Sequence, residues 1–456
     1  MKPFALDAFS ILRAEEETWL AECYVAPIDF DRLANDRSLI IFGGIGAGKT
    51  ALYEMMKQRN LVDGLPQRLL IDWRPSAPVA ALSGTTSSVN EQLDHILELC
   101  ARELAVHVAQ YPHRYDAAPA WAQQRVVWFL HRMLGAAPTL RLGPLLDLRT
   151  PGGELLQSLL TAAPEPVLHD HAPPEAILDE LCLALAPLGL RGIWIMADDI
   201  ERLAQIDEQL LLENLLALLA TLPLFERAPF AFKLFVPSRL EGAVSKASGL
   251  MRRRIDAVHL RWSAAELRAI VERRLRVATD GKLCRLEELC DAPGLSGWLE
   301  AAGGESPRHW LDQVQPLVKH YLMNRLTKPI DEKTWRKLTF EHPPPLYLYP
   351  NRRMVVVGGR EITLDELPVK AIEMLAYLYE HGNQIVPKED LYFRAYLGRE
   401  STPRAPGDIG YEAREEYEGV VDTNVWRLRG VIEPDPKKPV LLETKRGQGL
   451  RLRVRW

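Results

Sequence analysis

Ser38-Leu39-Ile40-Ile41-Phe42-Gly43-Gly44-Ile45-Gly46-Ala47-Gly48-Lys49-Thr50 is an apolar, β-branched run that ends abruptly in glycines. Its second part fits G-x-x-x-x-G-K-[ST] with no mismatch, and helical spacing of apolar residues resumes from Thr50 to Met56. Each piece has a physical task. Glycines let the backbone fold its N–H groups around a polyphosphate, and the positive end of the following helix faces the same anion. Lys49 is placed to reach the β and γ phosphates, and the Thr50 hydroxyl to ligate Mg²⁺. A glycine-rich turn alone says little, but one between a strand and a helix has the confirming context. Gly43, Gly44, Gly46, Ala47, Gly48, Lys49 and Thr50 are therefore the candidate contacts to ATP and Mg²⁺, in an α/β P-loop NTPase core.

Around that core there is room for more. At ~150 residues per domain, 456 residues suggest about three domains. No run approaches the ~18 uninterrupted apolar residues of a membrane span, and the first residues turn acidic where a signal peptide would carry its apolar stretch. A cytoplasmic protein is expected. The five cysteines (Cys23, Cys100, Cys182, Cys284, Cys290) are scattered without a C-x-x-C pair and read as buried thiols. A net charge of −5 excludes a general polycation, yet Lys437 to Trp456 is locally basic, which suits a phosphate-bearing partner at one end only.

Working outward, 1–37 reads as a helical lead-in and Arg68–Trp73 as a second strand. About 90–190 reads as a helical insertion. Its Trp121, Trp128, Phe129 and Leu130 are a candidate surface for a protein partner, with ordinary core packing as the plainer reading. Strand character returns at Gly192–Ala197, Phe230–Val236 and Ala257–Leu260, which closes a core of 38–260. At the end of the first of these, Asp198 is placed to hold Mg²⁺ through water and Asp199 to polarise an attacking water. Aspartate is a shorter arm than glutamate, so slow turnover is expected. Ser263 and Glu266 form a capping box that opens a helical region, 261–328. A proline-rich linker, 329–345, leads to a smaller domain at 346–456.

The succession of P-loop, Asp-Asp strand and a strand ending in a polar residue resembles the AAA+ and STAND ATPases. The resemblance implies that Ser238, with Arg239 beside it, is a first sensor of the γ-phosphate. It also implies that Arg252, Arg253 or Arg254 is an arginine finger in a homo-oligomer. Gly303-Gly304-Glu305-Ser306-Pro307-Arg308 looks like the G-x-P-R turn of AAA+ lids of the origin-recognition type, which makes Arg308 a candidate second sensor.

In the last hundred residues, Pro368 precedes Val369, Ile372, Leu375, Ala376 and Tyr379 at amphipathic spacing, closed by His381-Gly382-Asn383. Val386–Leu391 opens a second helix and Val421–Arg429 a third, preceded by a long loop, Arg399 to Gly419. Leu441–Leu452 reads as a hairpin with a glycine tip. VDTNVWRLR and TKRGQGLRL are similar to the recognition helix and wing of OmpR/PhoB-type winged helices. Asn424, Arg427 and Arg429 are the candidate base contacts and Lys445 and Arg446 the candidate backbone contacts to duplex DNA. Two readings stay open: a nucleotide-switched DNA-binding regulator, and an oligomerising signal-sensing or antiviral-defence scaffold whose winged helix docks protein.

Overall fold

The structure, a computed structural model, describes residues 9, 13–17, 19–74, 89–135, 142, 149–198, 200–247 and 255–455, with backbone only at 201–207, 246 and 247. The chain divides into two compact bodies: one of Ala26–Gly44 with Lys49–Leu260, the other of Met1–Val25, Ile45–Gly48 and Arg261–Trp456.

The first body is built on β1 (Leu39–Gly43), followed by α1 (Lys49–Arg59). A small hairpin, β2 (Leu61–Val62) with β3 (Leu65–Pro66), leads into β4 (Leu69–Asp72). Next come α2 (Val89–Gln110), α3 (Ala120–Leu134), α4 (Pro151–Thr161) and α5 (Pro174–Leu185). The chain then returns through β5 (Ile193–Ala197), α6 (Ile200–Ala220), β6 (Phe230–Pro237) and β7 (Asp256–His259). The sheet order is β4-β5-β6-β1-β7, parallel throughout. The three central strands are buried along their whole length, which is why they read as continuous apolar runs without alternation.

The 90–190 segment is no detached lobe. Leu93, Ile96, Leu97, Cys100 and Leu104 of α2 share one apolar core with Leu69, Ile71 and Ile195 of the sheet. Trp128, Phe129 and Leu130 are buried in that core, whereas Trp121 stays 45% exposed, with the Arg125 guanidinium stacked 5.2 Å from its ring centre.

Lys233 sits in mid-β6 opposite Leu39 and is fully buried. Its ammonium donates to the carbonyls of Leu33 (2.9 Å) and Arg37 (2.8 Å), so one side chain pins the lead-in to β1 against the sheet. Burial pushes its pKa down to about 7. The unfolded chain thus keeps, between about 7 and the usual lysine value of 10.5, a proton that the native chain has released. The resulting stability is complete above the upper value and is lost as pH falls through the lower one. Urea midpoints of the full chain should therefore rise from pH ~7 to pH ~10 relative to those of Lys233→Met, in which this slope is gone.

In the second body, α7 (Ala264–Ala278) starts at the expected capping box: Ser263 Oγ accepts from Glu266 N–H, and the Glu266 carboxylate accepts from Ser263 N–H at 2.8 Å. Arg274 of α7 forms a buried ion pair with Glu17 (2.7 Å), which ties down the N-terminal segment. Helices α8 (Leu295–Gly303), α9 (Pro307–Met323) and α10 (Glu332–Glu341) follow, so the stretch read as a linker contains a full helix. Strands β8 (Leu346–Tyr349), β9 (Met354–Val357) and β10 (Arg360–Thr363) form an antiparallel sheet. After it come α11 (Val369–Glu380), a helical segment from Lys388 to Tyr396, α12 (Arg414–Ile432), and the hairpin β11 (Leu442–Lys445) with β12 (Gly449–Leu452). This is the strand and helix order of a winged helix.

Three details depart from the sequence reading. Cys284, expected to be a buried thiol, is exposed. The buried stripe of α11 is Ala371, Met374, Leu375 and Leu378, one position round from the expected face, and Val369 is 59% exposed. Helix α12 begins at Arg414 instead of near Val421, because Arg414–Glu418 (3.2 Å) and Lys388–Glu418 (2.8 Å) stabilise its first turns. Glu415 and Glu416, in its first turn, complement the helix dipole.

No loose tether joins α8–α10 to the winged helix. Gly358, at φ 56°, lies so close to α8 that a Cβ would fall 1.8 Å from the Ala302 carbonyl oxygen. Arg360 donates to the Ala301 carbonyl at 3.1 Å, Arg455 pairs with Asp312, and Arg453 donates to the Phe340 carbonyl. No described helix is long and apolar enough to cross a membrane.

Candidate nucleotide and nucleic-acid sites

The turn from β1 into α1 is made with Gly46 at φ 76° and Gly48 at φ 91°, a region that side chains other than glycine resist. Lys49 opens α1 and is 7% exposed, and its ammonium donates to the carbonyls of Gly43 and Gly44, both at 2.9 Å. Thr50 follows, half-buried, in the first helical turn.

Asp198 stands one residue past the end of β5, half-buried. It is not on the strand beside β1, because β6 lies between them. Two strand spacings of ~4.8 Å therefore separate the two strand axes. Near it is a group that the sequence reading passed over. Tyr53 of α1 is buried edge-on to Phe235 and hydrogen-bonded to Asp72, the last residue of β4. Burial first, then the carboxylates of Asp72, Glu54 and Asp198, raise its pKa far above the ordinary phenol range. The signal was available: Leu69-Leu70-Ile71-Asp72 ends in an acid just as the β5 run does. Ser238 is exposed in the short turn after β6, and Arg239 beside it is paired with Glu208 at 2.9 Å. Asp199, Arg252, Arg253 and Arg254 lie outside the described residues.

Within the second body, residues 45–48 are held under the Ser306–Arg308 turn. Arg308 N–H donates to Gly46 O (3.3 Å), Ser306 Oγ to Ile45 O (3.5 Å) and the Trp262 indole N–H to Ala47 O (2.7 Å). In a trans peptide the C=O and N–H point opposite ways. Holding three successive carbonyls on these donors therefore turns the N–H groups of Gly46, Ala47 and Gly48 away from them. A Cβ on Gly46 would come within 2.7 Å of Ser306 Oγ and 2.8 Å of Arg308 Cβ. The side chain of Arg308, the proposed sensor, is thus rooted against the loop. His309 Nδ1 lies 2.8 Å from Ser306 Oγ, and burial lowers its pKa to about 4, so it is neutral near pH 7. Trp262 had no sequence signal to single it out.

Gly46→Ala should lower unfolding free energy by about 1–3 kcal/mol, since it adds left-handed strain to steric contact. Trp262→Phe should cost about 1 kcal/mol through loss of one hydrogen bond. Urea denaturation of the full chain measures both.

On α12, the expected row of base readers is corrected. Asn424 is 4% exposed and donates to the Val420 carbonyl (2.8 Å), so it belongs to the core. Arg429 donates to the Leu442 carbonyl (2.8 Å) and to Thr444 Oγ1 (2.7 Å), fastening the helix to the wing. Arg427 is exposed beside Trp426, which is 74% exposed. The same helix also carries Glu415, Glu416 and Asp422, all exposed. On the wing, Lys445 pairs with Glu443 at 2.6 Å, whereas Arg446 is exposed in the turn at its tip.

No protein-family model matches the chain. Over 112 residues, 24% of the chain, it is 32% identical to the sensory transduction protein RegX3 of Mycobacterium leprae (strain TN), covering 46% of that protein. Against RegX3 of Mycobacterium tuberculosis (strain ATCC 25618 / H37Rv) it is 31% identical over 112 residues, covering 40%. The chain thus spans less than half the length of these curated relatives. Among solved structures, the ORC1 protein of Aeropyrum pernix in complex with DNA superposes with a TM-score of 0.35 at 13% identity, covering 97% of this chain and 93% of that one. Cdc6p from Pyrobaculum aerophilum gives 0.33 at 13% identity, covering 97% and 92%. At such scores the likeness carries no structural argument.

Proposed function

We propose that this chain is an ATP-binding, slowly hydrolysing switch protein of AAA+/STAND type that acts on duplex DNA through its winged helix. The observation that carries the reading is the strand–glycine turn–helix unit, in which the loop carbonyls of Ile45, Gly46 and Ala47 are taken up by Ser306, Arg308 and Trp262. That arrangement leaves backbone N–H groups for an anion, which is what a phosphate cradle requires.

The residues fit Mg²⁺–ATP. Gly43, Gly44, Gly46, Ala47 and Gly48 form the cradle, and Lys49, already within the loop, would exchange its two carbonyl acceptors for phosphate oxygens. Thr50 would ligate Mg²⁺, with Asp198 acting through water. ATP supplies the transferable γ-phosphoryl group. Asp199 would orient water, and Ser238 and Arg308 would respond to the presence of the γ-phosphate. Because Arg308 is rooted against Gly46, a change in the loop reaches the turn that opens α9 directly. An oligomer with a finger from Arg252, Arg253 or Arg254 belongs to the same reading.

For the winged helix, Arg427, Lys445 and Arg446 are the DNA contacts of this proposal. Acidic neighbours along α12 make the approach a narrow one. A specific observation favours the second reading, a protein-docking winged helix: Trp426, 74% exposed, is a large apolar side chain on the surface of α12, more suited to a protein surface than to phosphates.

Lys49→Ala should reduce binding of a fluorescent ATP analogue by at least about tenfold (~1.4 kcal/mol), and unchanged affinity removes the assignment of this loop. Asp199→Asn should keep ATP binding and lose phosphate release. In anisotropy titrations of the full chain with duplex DNA at low salt, Arg427→Ala should cost about 1–3 kcal/mol at a preferred site. Under the docking reading, no duplex binds in either nucleotide state.

A further inference from the structure

Two glycine pairs meet beside Ser306. Gly303-Gly304 closes α8, and Gly358-Gly359 is the turn from β9 to β10. Neither pair leaves room for a side chain. A Cβ on Gly304 would come 2.9 Å from Arg360 Cγ, and one on Gly359 would fall 2.4 Å from the Gly303 carbonyl oxygen. The Cβ on Gly359 would also lie 2.7 Å from Ser306 Cβ and 3.0 Å from His309 Nδ1. The β9–β10 turn thus lies against α8 backbone and against Ser306 at a distance that glycine alone permits.

Ser306 faces the phosphate loop as well. Its Oγ donates to the Ile45 carbonyl at 3.5 Å and lies 2.7 Å from where a Cβ on Gly46 would go. Its N–H donates to Gly303 O at 3.3 Å, the same oxygen that abuts Gly359. A hydroxyl has one hydrogen. With that hydrogen given to Ile45, His309 Nδ1 carries the hydrogen of its 2.8 Å contact with Ser306 Oγ. The serine is therefore fixed at its N–H, its Cβ and its Oγ, between one turn of the winged helix and one turn of the loop. Close-packed groups of this kind transmit strain.

We propose that the Gly358-Gly359 turn positions the phosphate loop by acting through Ser306, so that phosphate in the loop and the seat of the winged helix are coupled. The proposal rests on reading residues 43–50 as a phosphate site. Such coupling is reciprocal. A shift of the turn changes affinity at the loop, and an occupant of the loop changes the turn by the same free energy. Gly359 reaches the loop through Ser306, which makes it a positioning residue and no phosphate contact.

The test measures the affinity of the full chain for a fluorescent ATP analogue with Mg²⁺. Gly359→Ala, which has to displace Gly303 or Ser306, should weaken binding about fivefold or more. Gly382→Ala is the control: its Cβ would crowd Val454 and the Tyr379 carbonyl, both at 3.2 Å, in the same winged helix. It should leave affinity unchanged. In a Ser306→Ala background the effect of Gly359→Ala should shrink, whereas independent effects would multiply. In the unmodified chain, saturating analogue should slow hydrogen exchange at Gly358 N–H, which donates to Pro345 O at 2.7 Å. A turn with a purely structural role would not respond. If Gly359→Ala does not fold, Arg360→Met takes its place with the same sign expected, since it frees the turn from the Ala301 carbonyl without adding bulk. No binding by the unmodified chain removes the phosphate reading and this proposal with it. Binding that the turn variant leaves untouched overturns the coupling alone, as do an equal loss in Gly382→Ala, effects that multiply, or Gly358 exchange indifferent to nucleotide.

Discussion

A loop that bares its N–H groups to an anion must send its carbonyls the other way, and buried or half-buried carbonyls need donors. In this chain the donors for Ile45, Gly46 and Ala47 come from Ser306, Arg308 and Trp262, more than two hundred residues away in sequence. Much else follows from that arrangement. Gly46 admits no side chain, because Ser306 and Arg308 sit where one would go. Ser306 is buried, and half-buried His309 beside it is neutral near pH 7 and hydrogen-bonded to the serine oxygen. Residues 45–48 pack with Arg261–Trp456 although their neighbours in sequence belong to the other body.

Irregular segments are secured in a second way, by charged or polar side chains set among backbone groups. Lys233 collects the lead-in before β1. Glu433, 3% exposed, accepts from the N–H groups of Val440, Leu441 and Leu442 and so closes the loop after α12 onto the start of the wing. Arg429 reaches the same strand from the side. Each replaces the hydrogen bonds that a regular ladder would have supplied. Removing Lys233 leaves two backbone carbonyls unmet and removing Glu433 three backbone N–H groups, which is more costly than losing a single surface ion pair.

Local signals in the sequence carried over well. The glycine turn between strand and helix, the apolar β5 and β6 runs and the Ser263–Glu266 cap all depend on residues within a few positions of one another, and all stand where expected. Phase and partnership did not carry over. The stripe of α11 was misread by one position because Val369, Ile372 and Tyr379 are as apolar as the true inner face. Asn424 and Arg429 look like base readers in a linear string, yet one is inside and the other is committed to Leu442 and Thr444. The place of β6 between β1 and β5 is a matter of strand order, which no run of residues encodes. Trp262 and Tyr53 matter through contacts distant in the chain, and nothing in their own neighbourhoods announces them, whereas Asp72 closes an apolar run as Asp198 does.

The junction at Gly358, Arg360 and Arg455 has a mechanical consequence. Backbone contact with Ala302, a bond to the Ala301 carbonyl and a pair with Asp312 leave no slack between α8–α9 and the small antiparallel sheet. These helices and the winged helix are fastened to one another inside one body, which carries Arg308 at the opening of α9 and Arg427 on α12. Elements bonded backbone to backbone share their displacements instead of taking them up in a linker. A flexible tether would instead have let the winged helix search space freely and lose any sense of direction.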